Sequence, residues 1–441
     1  MKFSRFNVVI NDIDNQRILL NNSLSGSTFV VDEKIAKIVE NKEIDKLSDE
    51  EINILKMYGI ILEDEIYDLE LKNIEYFHNK EKYNNDTLNL TILLTMNCNL
   101  RCIYCYEAAG VISKESITLE NYEMIFKFIK NELKICNSRS LSICLFGGEP
   151  TIELKKAKTF LDKIRKYCDE NEINFFTSIV TNGTLIDKEV IDILLENNCQ
   201  FEQITLDGTK DFHDTRRITA DGKGSYDKTI DGIKKLIESD LPNPVIRINI
   251  DKTNYKNVFD LLEELAKDNL NCCSIDFGIV KSNTPSCEKY DSNCLRDEEI
   301  PEVLKILWKK TEELGFSIYN FPVQKFTYCG MYSDSAFTIN PNLDLYKCWD
   351  LVNQNKHKIG KINEEGVIID ITESYFNWMN RNPLNINECV ECKYLPACGG
   401  GCAAMAKIND NKYNQPGCYK MKGVYELEVL NRFKENAINE N

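Results

Sequence analysis

The chain has 441 residues, 43% of them hydrophobic, which is enough for two or three domains with buried cores. Its 54 Lys and Arg against 70 Asp and Glu give a net charge of −16, which repels phosphate backbones, so we expect no nucleic acid partner. No apolar run has the length of a membrane span and the first residues lack an apolar signal region, so we expect a cytoplasmic protein without membrane association.

The first part of the chain predicts a small α+β unit. Three short strands and two helices are predicted at residues 6–10, 16–20, 28–31, 33–41 and 48–58. The second helix opens with Ser48-Asp49-Glu50-Glu51, a capping-box pattern. Residues 63–86 are acidic and polar with few apolar anchors, which predicts a linker. We therefore place a first domain and its linker at residues 1–85.

From Leu88 the pattern changes to alternating strands and helices. The six strands are predicted at 88–94, 142–146, 175–180, 203–206, 245–250 and 274–279. The helices that follow them are predicted at 118–136, 154–170, 187–197, 225–239, 257–268 and 301–313. Six β–α units in succession imply parallel strands joined by right-handed crossovers, and six close only part of a barrel. The fold class is therefore α/β, a partial TIM-like (β/α)6 barrel at residues 86–320, with chemistry at the carboxyl ends of its strands.

Cysteine usage is unusual. Eighteen cysteines in a large chain without an export signal argue for metal, cluster or redox work rather than for a disulfide framework. Eight of them are scattered and are interpreted as small buried hydrophobic residues. The other ten fall into two spaced groups, one after the first barrel strand and one in residues 321–441, which are loop-rich and end in a helix predicted at 424–436.

The first group is Cys98, Cys102 and Cys105, with the spacing C-x3-C-x2-C and with Tyr104 before the last cysteine. Thiolates are soft ligands suited to zinc or iron–sulfur. Three of them can hold three irons of a [4Fe–4S] cube and leave the fourth iron open to a small chelating molecule, whereas simple electron carriers use four. The alternatives are a zinc site completed by a distant ligand, and a chance spacing.

The wider motif, Cys98 to Glu107, resembles the radical S-adenosylmethionine (radical SAM) superfamily. The resemblance implies that the open iron binds the amino and carboxylate groups of S-adenosylmethionine. One electron, from a flavodoxin- or ferredoxin-type donor, then cleaves the sulfonium and releases a 5′-deoxyadenosyl radical that abstracts a substrate hydrogen.

Further marks of this family stand where the next three strands end. The resemblance implies contacts of the second-strand loop with the methionyl ammonium, of the third with the ribose, and of Arg217, after the fourth, with the S-adenosylmethionine carboxylate. The implied cofactor-binding residues are Tyr104, Gly147, Gly148, Glu149, Thr181, Asn182, Asp207 and Arg217. His213 is a candidate base, and a structural hydrogen-bonding role is the alternative that we favour for it.

The second group of seven cysteines resembles the SPASM domain, which follows radical SAM barrels and houses two auxiliary [4Fe–4S] clusters, so the resemblance implies three clusters in all. It assigns auxiliary cluster I to Cys329, Cys348 and Cys402, and auxiliary cluster II to Cys389, Cys392, Cys398 and Cys418. A zinc ribbon is the alternative, and it leaves Cys329, Cys348 and Cys418 idle. Cluster I lacks a matched fourth ligand, so we expect an open iron or a ligand from elsewhere, with Cys287 and Cys294 as candidates.

Two departures from the family pattern concern the surroundings of Cys348. Leu343 stands where the pattern usually has glycine, which leaves the local turn open. Trp349 stands where sulfatase maturases place a catalytic Asp, and Asp350, one residue further on, is our candidate catalytic residue. This shift and the missing cysteine argue against a sulfatase maturase.

The residues before the barrel resemble the RiPP recognition element, a winged-helix-like unit that binds the leader of a ribosomally made precursor peptide as an added strand. The alternative is a structural cap without a ligand. The sequence thus predicts a radical SAM/SPASM maturase that modifies a ribosomal precursor peptide by hydrogen abstraction and intramolecular cross-linking, with a thioether favoured. Two alternatives remain, a radical SAM oxidase of a protein side chain, such as a sulfatase or quinone-cofactor maturase, and a non-catalytic zinc protein that binds peptides.

Overall fold

The computed structural model describes residues 1–12, 16–108, 111, 113–282, 287–319, 325–352, 354–410 and 413–439. Two compact units are built from discontinuous segments. Unit 1 comprises Met1–Tyr83, Asn320–Tyr332 and Asn380–Asn441, and unit 2 comprises Asn84–Tyr319 and Ser333–Met379. The predicted boundary at 320/321 lies outside the described residues. No helix within the ranges above is long and apolar enough to cross a membrane.

Unit 2 contains an eleven-stranded sheet whose centre is the six predicted strands. They span Thr87–Thr95, Ser140–Gly147, Asn174–Thr181, Cys199–Thr205, Val245–Ile250 and Ser274–Ile279, and they lie side by side in that order, all parallel. Ser317–Ile318 and Ala336–Ile339 add one parallel strand on each flank, and three antiparallel strands follow at Asp344–Tyr346, Gly360–Ile362 and Ile368–Ile369. The sheet ends on two different strands and stays open, so the predicted α/β class is confirmed.

Helices follow the central strands as the sequence predicts. They span Leu119–Cys136, Thr151–Glu170, Lys188–Glu196, Lys210–Arg216, Tyr226–Ile237, Asn257–Lys267, Ile300–Glu313 and Glu373–Met379. Side chains cap several of them; for example, the Asp187 carboxylate accepts from Val190 N at 2.9 Å. Along the second strand Leu141, Ile143 and Leu145 are fully buried while the residues between them are half-buried. Alternate side chains of the strands therefore form one apolar face and leave the other for polar groups.

Unit 1 begins with a three-stranded antiparallel sheet followed by helices. Its strands are Asn7–Asp12, Arg17–Asn22 and Thr28–Val31, its next helices are Glu33–Asn41 and Asp49–Met57, and Lys2–Phe3 pairs with Ile61–Leu62. The capping box is present, because the Ser48 hydroxyl accepts from Glu51 N and the Glu51 carboxylate accepts from Ser48 N.

The predicted linker at 63–86 is wrong, because Asp64–Lys82 is a helix of 19 residues. Its buried side repeats every fourth residue and is mostly polar, at Glu70, Ile74, His78 and Lys82. Each polar member has a partner in unit 1. The Ser4 hydroxyl donates to Glu70, His78 Nδ1 lies 2.8 Å from the Phe326 carbonyl, and Lys82 Nζ donates to the Arg381 carbonyl at 3.3 Å. A search for apolar periodicity misses such a face.

The C-terminal part of unit 1 carries helices at Asn387–Val390, Leu395–Cys398, Ala403–Asp410 and Val424–Asn439. It shares a core with the N-terminal sheet, in which Val8, Ile10 and Leu19 pack with Tyr394 and Tyr425. The Tyr425 hydroxyl also donates to Asn21 Oδ1 at 2.8 Å. The sequence suggested that the N-terminal residues form a unit of their own. They instead fold together with residues 380–441.

Candidate functional site

The first cysteine group forms a loop at the carboxyl end of the first strand of unit 2. Cys98, Cys102 and Cys105 pack together around Leu100. Leu100–Cys102 pairs with Arg217–Thr219 in a two-stranded ribbon that sets Arg217 opposite Cys102. No sequence pattern indicates this ribbon, since its two strands are far apart along the chain. The ribbon therefore holds the backbone of Arg217 beside that of Cys102.

Gly147 and Gly148 bring the end of the second strand against the cysteine loop. Gly148 N donates to the Thr95 carbonyl and Glu149 N to the Asn97 carbonyl, both at 2.9 Å. A Cβ on Gly147 would lie 2.3 Å from Thr95 O, and one on Gly148 would lie 2.3 Å from Asn97 O. Only glycine fits at these two positions, because the two backbones are in contact.

The Glu149 carboxylate is buried and already bonded to the protein. One oxygen accepts from Thr151 N at 3.0 Å, from the Thr151 hydroxyl and from the Thr181 hydroxyl, and the other accepts from Asn182 N at 2.7 Å. Three of these four donors share Oε1, so Oε2 keeps acceptor capacity for a further donor. Glu149 and Thr181 thus tie the ends of the second and third strands together.

Asn182 links the third strand to the cysteine loop. Its Nδ2 donates to Asn99 Oδ1 at 2.8 Å, and its Oδ1 accepts from the Thr184 hydroxyl at 2.7 Å. Asn99 lies between Cys98 and Cys102, so the loop is held from two sides. The predicted residues Glu149, Thr181 and Asn182 therefore meet at one edge of the sheet.

Asp207, Tyr104 and Arg217 form a buried polar network beside the thiols. The Tyr104 hydroxyl donates to Asp207 Oδ2 and accepts from Arg217 Nη1 at 2.8 Å, and Asn249 N donates to Asp207 Oδ1 at 3.0 Å. Arg217 is 7% exposed, and its Nε has no hydrogen-bond partner among the described residues. One N–H of this guanidinium is therefore available to an anionic ligand.

Arg216 and Asp251 are buried residues of this site that the sequence analysis missed. Arg216 Nη1 lies 2.8 Å from Asp251 Oδ2 and donates to the Thr253 and Tyr290 hydroxyls at 3.0 Å. Arg216 Nε also lacks a hydrogen-bond partner among the described residues, but it lies 3.8 Å from Asp207 Oδ2. Arg217 is the arginine better placed to bind a ligand, because the ribbon pairs it with Cys102. A buried arginine needs a charged or hydrogen-bonding partner. In the Arg216-Arg217 pair, Arg216 has such partners within the protein, which gives it a structural role.

His213 is fully buried and both of its ring nitrogens are used. Asp207 N donates to Nδ1 at 3.3 Å, and Nε2 lies 2.9 Å from the Ser225 hydroxyl, which itself donates to the Arg217 carbonyl at 2.6 Å. Burial, together with the charges of Arg217 and Arg216, holds the pKa of His213 well below its usual value. The ring is thus neutral and holds the Arg217 segment in place.

Asp350 follows Cys348 in a short 3₁₀ turn, Trp349–Leu351. Burial raises the pKa of the Asp350 carboxyl to about 6, and the positive charge of Arg247 opposes the rise. Burial likewise raises the pKa of Glu107 to about 7, and the charge of Asp350 adds to that rise. Asp350 and Glu107 are therefore two buried carboxyl groups of unit 2 that interact electrostatically, and Glu107 stands two residues after Cys105. Trp349 precedes Asp350, and its ring lies 6.0 Å from that of Phe146.

The residues of this site fit an iron–sulfur cluster with S-adenosylmethionine. Three soft thiols on one fixed loop, Cys98, Cys102 and Cys105, would hold the cluster, and the free N–H of Arg217 would bind the S-adenosylmethionine carboxylate. When bound, this pair supplies a 5′-deoxyadenosyl radical that abstracts hydrogen from a substrate. The chain's own residues hold the thiols, position Arg217 through the Tyr104 hydroxyl, and join the ends of the second and third strands through Glu149.

Cys287 and Cys294, the candidates for a fourth ligand of auxiliary cluster I, are both buried. Cys294 packs with Val280, Tyr290 and Tyr104. It therefore lies beside the first cysteine group. Its role as a ligand stays a prediction.

Four of the C-terminal cysteines come together in unit 1. Burial raises the pKa of the Cys389 and Cys398 thiols to about 12, and the negative charges of Cys418 and Cys392 add to that rise in both. Cys392 N donates to the Cys389 carbonyl at 3.1 Å, and Gly401 pairs with Gly417 in a bridge between the segments that carry Cys398 and Cys418. The backbone segments of the four residues assigned to auxiliary cluster II therefore adjoin. Because thiols must lose their protons to bind metal, burial disfavours the metal-binding form of Cys389 and Cys398 until an iron site forms.

Glycines close the loop around these four cysteines. Gly399, Gly400 and Gly401 all have positive φ angles, of 57°, 84° and 75°. Cys402 N donates to the Gly417 carbonyl at 2.9 Å, and a Cβ on Gly417 would lie 2.0 Å from Cys402 O. The Gly-Gly-Gly run between Cys398 and Cys402 was the sequence signal for this turn, and the sequence analysis did not use it.

Of the auxiliary cluster I set, Cys329 and Cys402 belong to unit 1, where both raise the pKa of Tyr332 through their charges, after the larger effect of burial. Cys348 belongs to unit 2, so the grouping of the three stays a prediction. Leu343 adopts φ 68°, a conformation that favours glycine, and closes the turn before Asp344–Tyr346 with a 3.0 Å bond from its N–H to the Asn340 carbonyl. The usual turn is thus kept with leucine.

In the part of the chain that the structure describes, no three His, Cys, Asp or Glu side chains converge as ligands of a single metal ion. Each cysteine of an iron–sulfur cube binds its own iron, so the cube needs no common point of convergence.

Three comparisons place this geometry among known proteins. A family model described as the Radical SAM superfamily matches residues 92–265. The cysteine-type anaerobic sulfatase-maturating enzyme of Clostridium novyi is 26% identical in an alignment of 366 residues, and the match covers 76% of this chain and 92% of that protein.

Two solved structures share the fold. The structure of anSMEcpe with bound AdoMet and Cp18Cys peptide has a TM-score of 0.59 at 18% identity, over 80% of this chain and 97% of that one. Streptococcus suis SuiB bound to precursor peptide SuiA has a TM-score of 0.53 at 17% identity, over 94% and 98% of the two chains.

Proposed function

We propose that this enzyme, which carries a radical SAM domain over residues 92–265 and cleaves S-adenosylmethionine reductively, modifies a ribosomal precursor peptide. It takes a hydrogen atom from a peptide carbon and closes an intramolecular cross-link, with a thioether as the favoured bond. The cysteine thiol loses its proton as its sulfur bonds to that carbon, and the remaining electron passes to an auxiliary cluster. The observation that carries the chemistry is the three-thiol loop held beside Arg217 by the ribbon Leu100–Cys102 and Arg217–Thr219. The two structures of similar fold are described with a peptide bound, which supports a peptide substrate.

The start of unit 1 supports binding of a leader peptide. Its sheet ends at Thr28–Val31, whose outer edge has no strand partner among the described residues. Val30 on this strand is 52% exposed. Three strands followed by three helices, the third being Asp64–Lys82, match the winged-helix-like arrangement of a RiPP recognition element. An extended leader can add to such an edge through backbone hydrogen bonds, as β-augmentation requires.

Three [4Fe–4S] clusters belong to the same proposal, one that binds S-adenosylmethionine and two auxiliary ones. The adjoining segments of Cys389, Cys392, Cys398 and Cys418 support the second auxiliary cluster. A flavodoxin- or ferredoxin-type donor would deliver electrons, and the cytoplasm would be the compartment in which donor and precursor meet.

The second candidate function is oxidation of a protein side chain, since the Clostridium novyi relative matches over 92% of its length. Asp350 and Glu107 could supply its acid–base chemistry. The two functions differ in the product. A thioether consumes a peptide thiol and leaves no carbonyl, whereas oxidation of an alcohol or thiol side chain leaves a carbonyl.

The first test of the proposal uses the full chain, reconstituted with iron and sulfide without air. The substrate is a synthetic peptide encoded by a short open reading frame beside the gene. We expect 5′-deoxyadenosine and a peptide two hydrogens lighter that neither reacts with hydrazide nor alkylates at the consumed cysteine. A hydrazide-reactive product would instead establish the oxidase, and Cys98→Ala should abolish 5′-deoxyadenosine formation.

The second test concerns the leader. Val30→Asp places a charge on the open edge strand, so we expect at least tenfold weaker binding of the leader peptide in a titration. Val367→Asp is the matched control, because Val367 is 49% exposed in unit 2. Equal affinities of the two variants would remove the edge strand from the proposal and leave the radical chemistry standing.

A further inference from the structure

Arg381 is a fully buried arginine in unit 1 whose guanidinium bonds only to neutral oxygens. Nε donates to the Tyr413 carbonyl at 2.7 Å, and Nη1 donates to the Tyr332 hydroxyl at 2.9 Å. Nη2 donates to the carbonyls of Gly400 and Gln415, at 2.6 and 2.7 Å. All three guanidinium nitrogens are thereby held in one orientation, and the four acceptors carry no charge.

No described carboxylate lies within ion-pair distance of Arg381, although ion pairs are frequent elsewhere among the described residues. A second buried side chain of positive charge, Lys82, donates to the Arg381 carbonyl. His78, on the same helix as Lys82, is neutral, because burial lowers its pKa and the charges of Lys82 and Arg381 lower it further. An arginine buried without a counter-charge costs several kcal/mol even when its hydrogen bonds are made.

The groups that can supply the missing negative charge are the four cysteines Cys389, Cys392, Cys398 and Cys418, because cysteines bind metal as thiolates. Arg381 Nη2 donates to the carbonyl of Gly400, two residues after Cys398, and to that of Gln415, three residues before Cys418. Gly400 lies inside the Gly399–Gly401 turn that joins Cys398 to Cys402. The guanidinium is therefore built into the loop that carries these ligands.

We propose that Arg381 is the counter-charge of the anionic iron–sulfur cluster held by Cys389, Cys392, Cys398 and Cys418, and that it raises the reduction potential of that cluster. The proposal rests on the auxiliary cluster II of the proposed function. Reduction adds one electron and no proton, so the cluster gains one negative charge. A fixed positive charge in a water-poor interior stabilises the reduced form more than the oxidised form, and net charge near a cluster is one of the factors that set its potential.

The experiment is a dithionite titration of the full chain, followed by the electron paramagnetic resonance signal of the reduced cluster. Cys98, Cys102 and Cys105 are replaced by Ala in the background, and so are Cys329 and Cys348, so that neither the first cluster nor auxiliary cluster I contributes. Arg381→Gln removes the charge and keeps hydrogen-bonding groups. Arg381→Lys keeps the charge with a different shape, and Tyr332→Phe removes one hydrogen-bond partner of Arg381 without changing charge.

We expect Arg381→Gln to lower the ratio of reduced to oxidised cluster about tenfold at a fixed potential, which corresponds to 59 mV for one electron. Arg381→Lys and Tyr332→Phe should keep the potential of the background. Unchanged potential in Arg381→Gln at full iron content would overturn the inference. If Arg381→Gln fails to hold the cluster but Arg381→Lys is loaded with iron, the result supports the role of the charge. Loss of iron in both variants would mean that Arg381 is needed only for the structure of the loop, and it would overturn the inference.

A separate measurement tests the cluster itself. Cys389→Ala with Cys418→Ala in the same background should lower both iron and inorganic sulfide relative to that background. Unchanged iron would remove auxiliary cluster II from the proposed function, independently of any result for Arg381.

Discussion

Replacing Arg217 by Met tests how the chain binds S-adenosylmethionine. Arg217 is 7% exposed, one of its N–H groups has no partner among the described residues, and the ribbon holds it beside Cys102. A hydrogen bond to a charged group contributes about 1.5–3 kcal/mol, so one such bond to the ligand carboxylate corresponds to roughly 10- to 150-fold in Kd. Asp207 keeps Arg216 at 3.8 Å in the variant, so its buried charge is still compensated.

The assay is equilibrium binding of S-adenosylmethionine to the reconstituted enzyme without air, with iron content measured in parallel. Arg165→Met, which removes an exposed arginine of unit 2, is the control and should bind as the wild type does. Wild-type affinity of Arg217→Met at full iron content would refute the assignment.

Tyr104→Phe extends this test, because the Tyr104 hydroxyl accepts from Arg217 Nη1. Loss of one hydrogen bond of about 1 kcal/mol should weaken binding roughly fivefold. If Tyr104 acts through Arg217, the double variant should bind as Arg217→Met alone does. Additive losses would show that Tyr104 contributes independently.

Three further predictions concern the fold. Burial raises the pKa of Glu202 to about 7 from 4.5, so the folded state binds the extra proton and stability falls as pH rises through this window. Glu202→Gln should therefore leave the free energy of unfolding of the iron-free protein unchanged near pH 4 and raise it by up to about 3 kcal/mol at pH 8; a gain independent of pH would contradict this. Gly148→Ala sets a Cβ against Asn97 O and should prevent iron loading at the first site, whereas Gly222→Asn, where nothing lies within 4 Å, should load normally. Ile74→Ala should cost about 2–5 kcal/mol in urea denaturation and Leu69→Ala, on the exposed side of the same helix, less than about 0.5 kcal/mol; equal costs would mean that this helix is not anchored in unit 1.

The six central strands of unit 2 could be predicted because each is a short apolar run followed by an amphipathic helix, so local pattern and tertiary environment agree. The helix Asp64–Lys82 was missed for the opposite reason. Glu70, His78 and Lys82 lie on its buried side, and partners distant in sequence compensate for their polarity. No window of sequence contains those partners.

At the candidate site, motifs identified the residues but not their connections. The spacing of Cys98, Cys102 and Cys105 marked the loop, yet the two glycines proved to contact backbone at Thr95 and Asn97 rather than only to leave room for a ligand. Glu149 also accepts hydrogen bonds from Thr151, Thr181 and Asn182, which no motif indicates, and its contact with an ammonium group stays a prediction. Such contacts depend on how strand ends meet, which a single sequence does not encode locally.

The shared core of Val8, Ile10, Leu19 and Tyr425 has a consequence for how the protein is made. The strands Asn7–Asp12 and Arg17–Asn22 leave the ribosome before most of unit 2, but the helix Val424–Asn439 that completes their packing is synthesised after it. While unit 2 is translated, these strands therefore carry an unfinished apolar surface. A fragment ending near residue 85 would keep that surface exposed and would aggregate, so the role of these strands has to be studied by point substitution in the 441-residue chain.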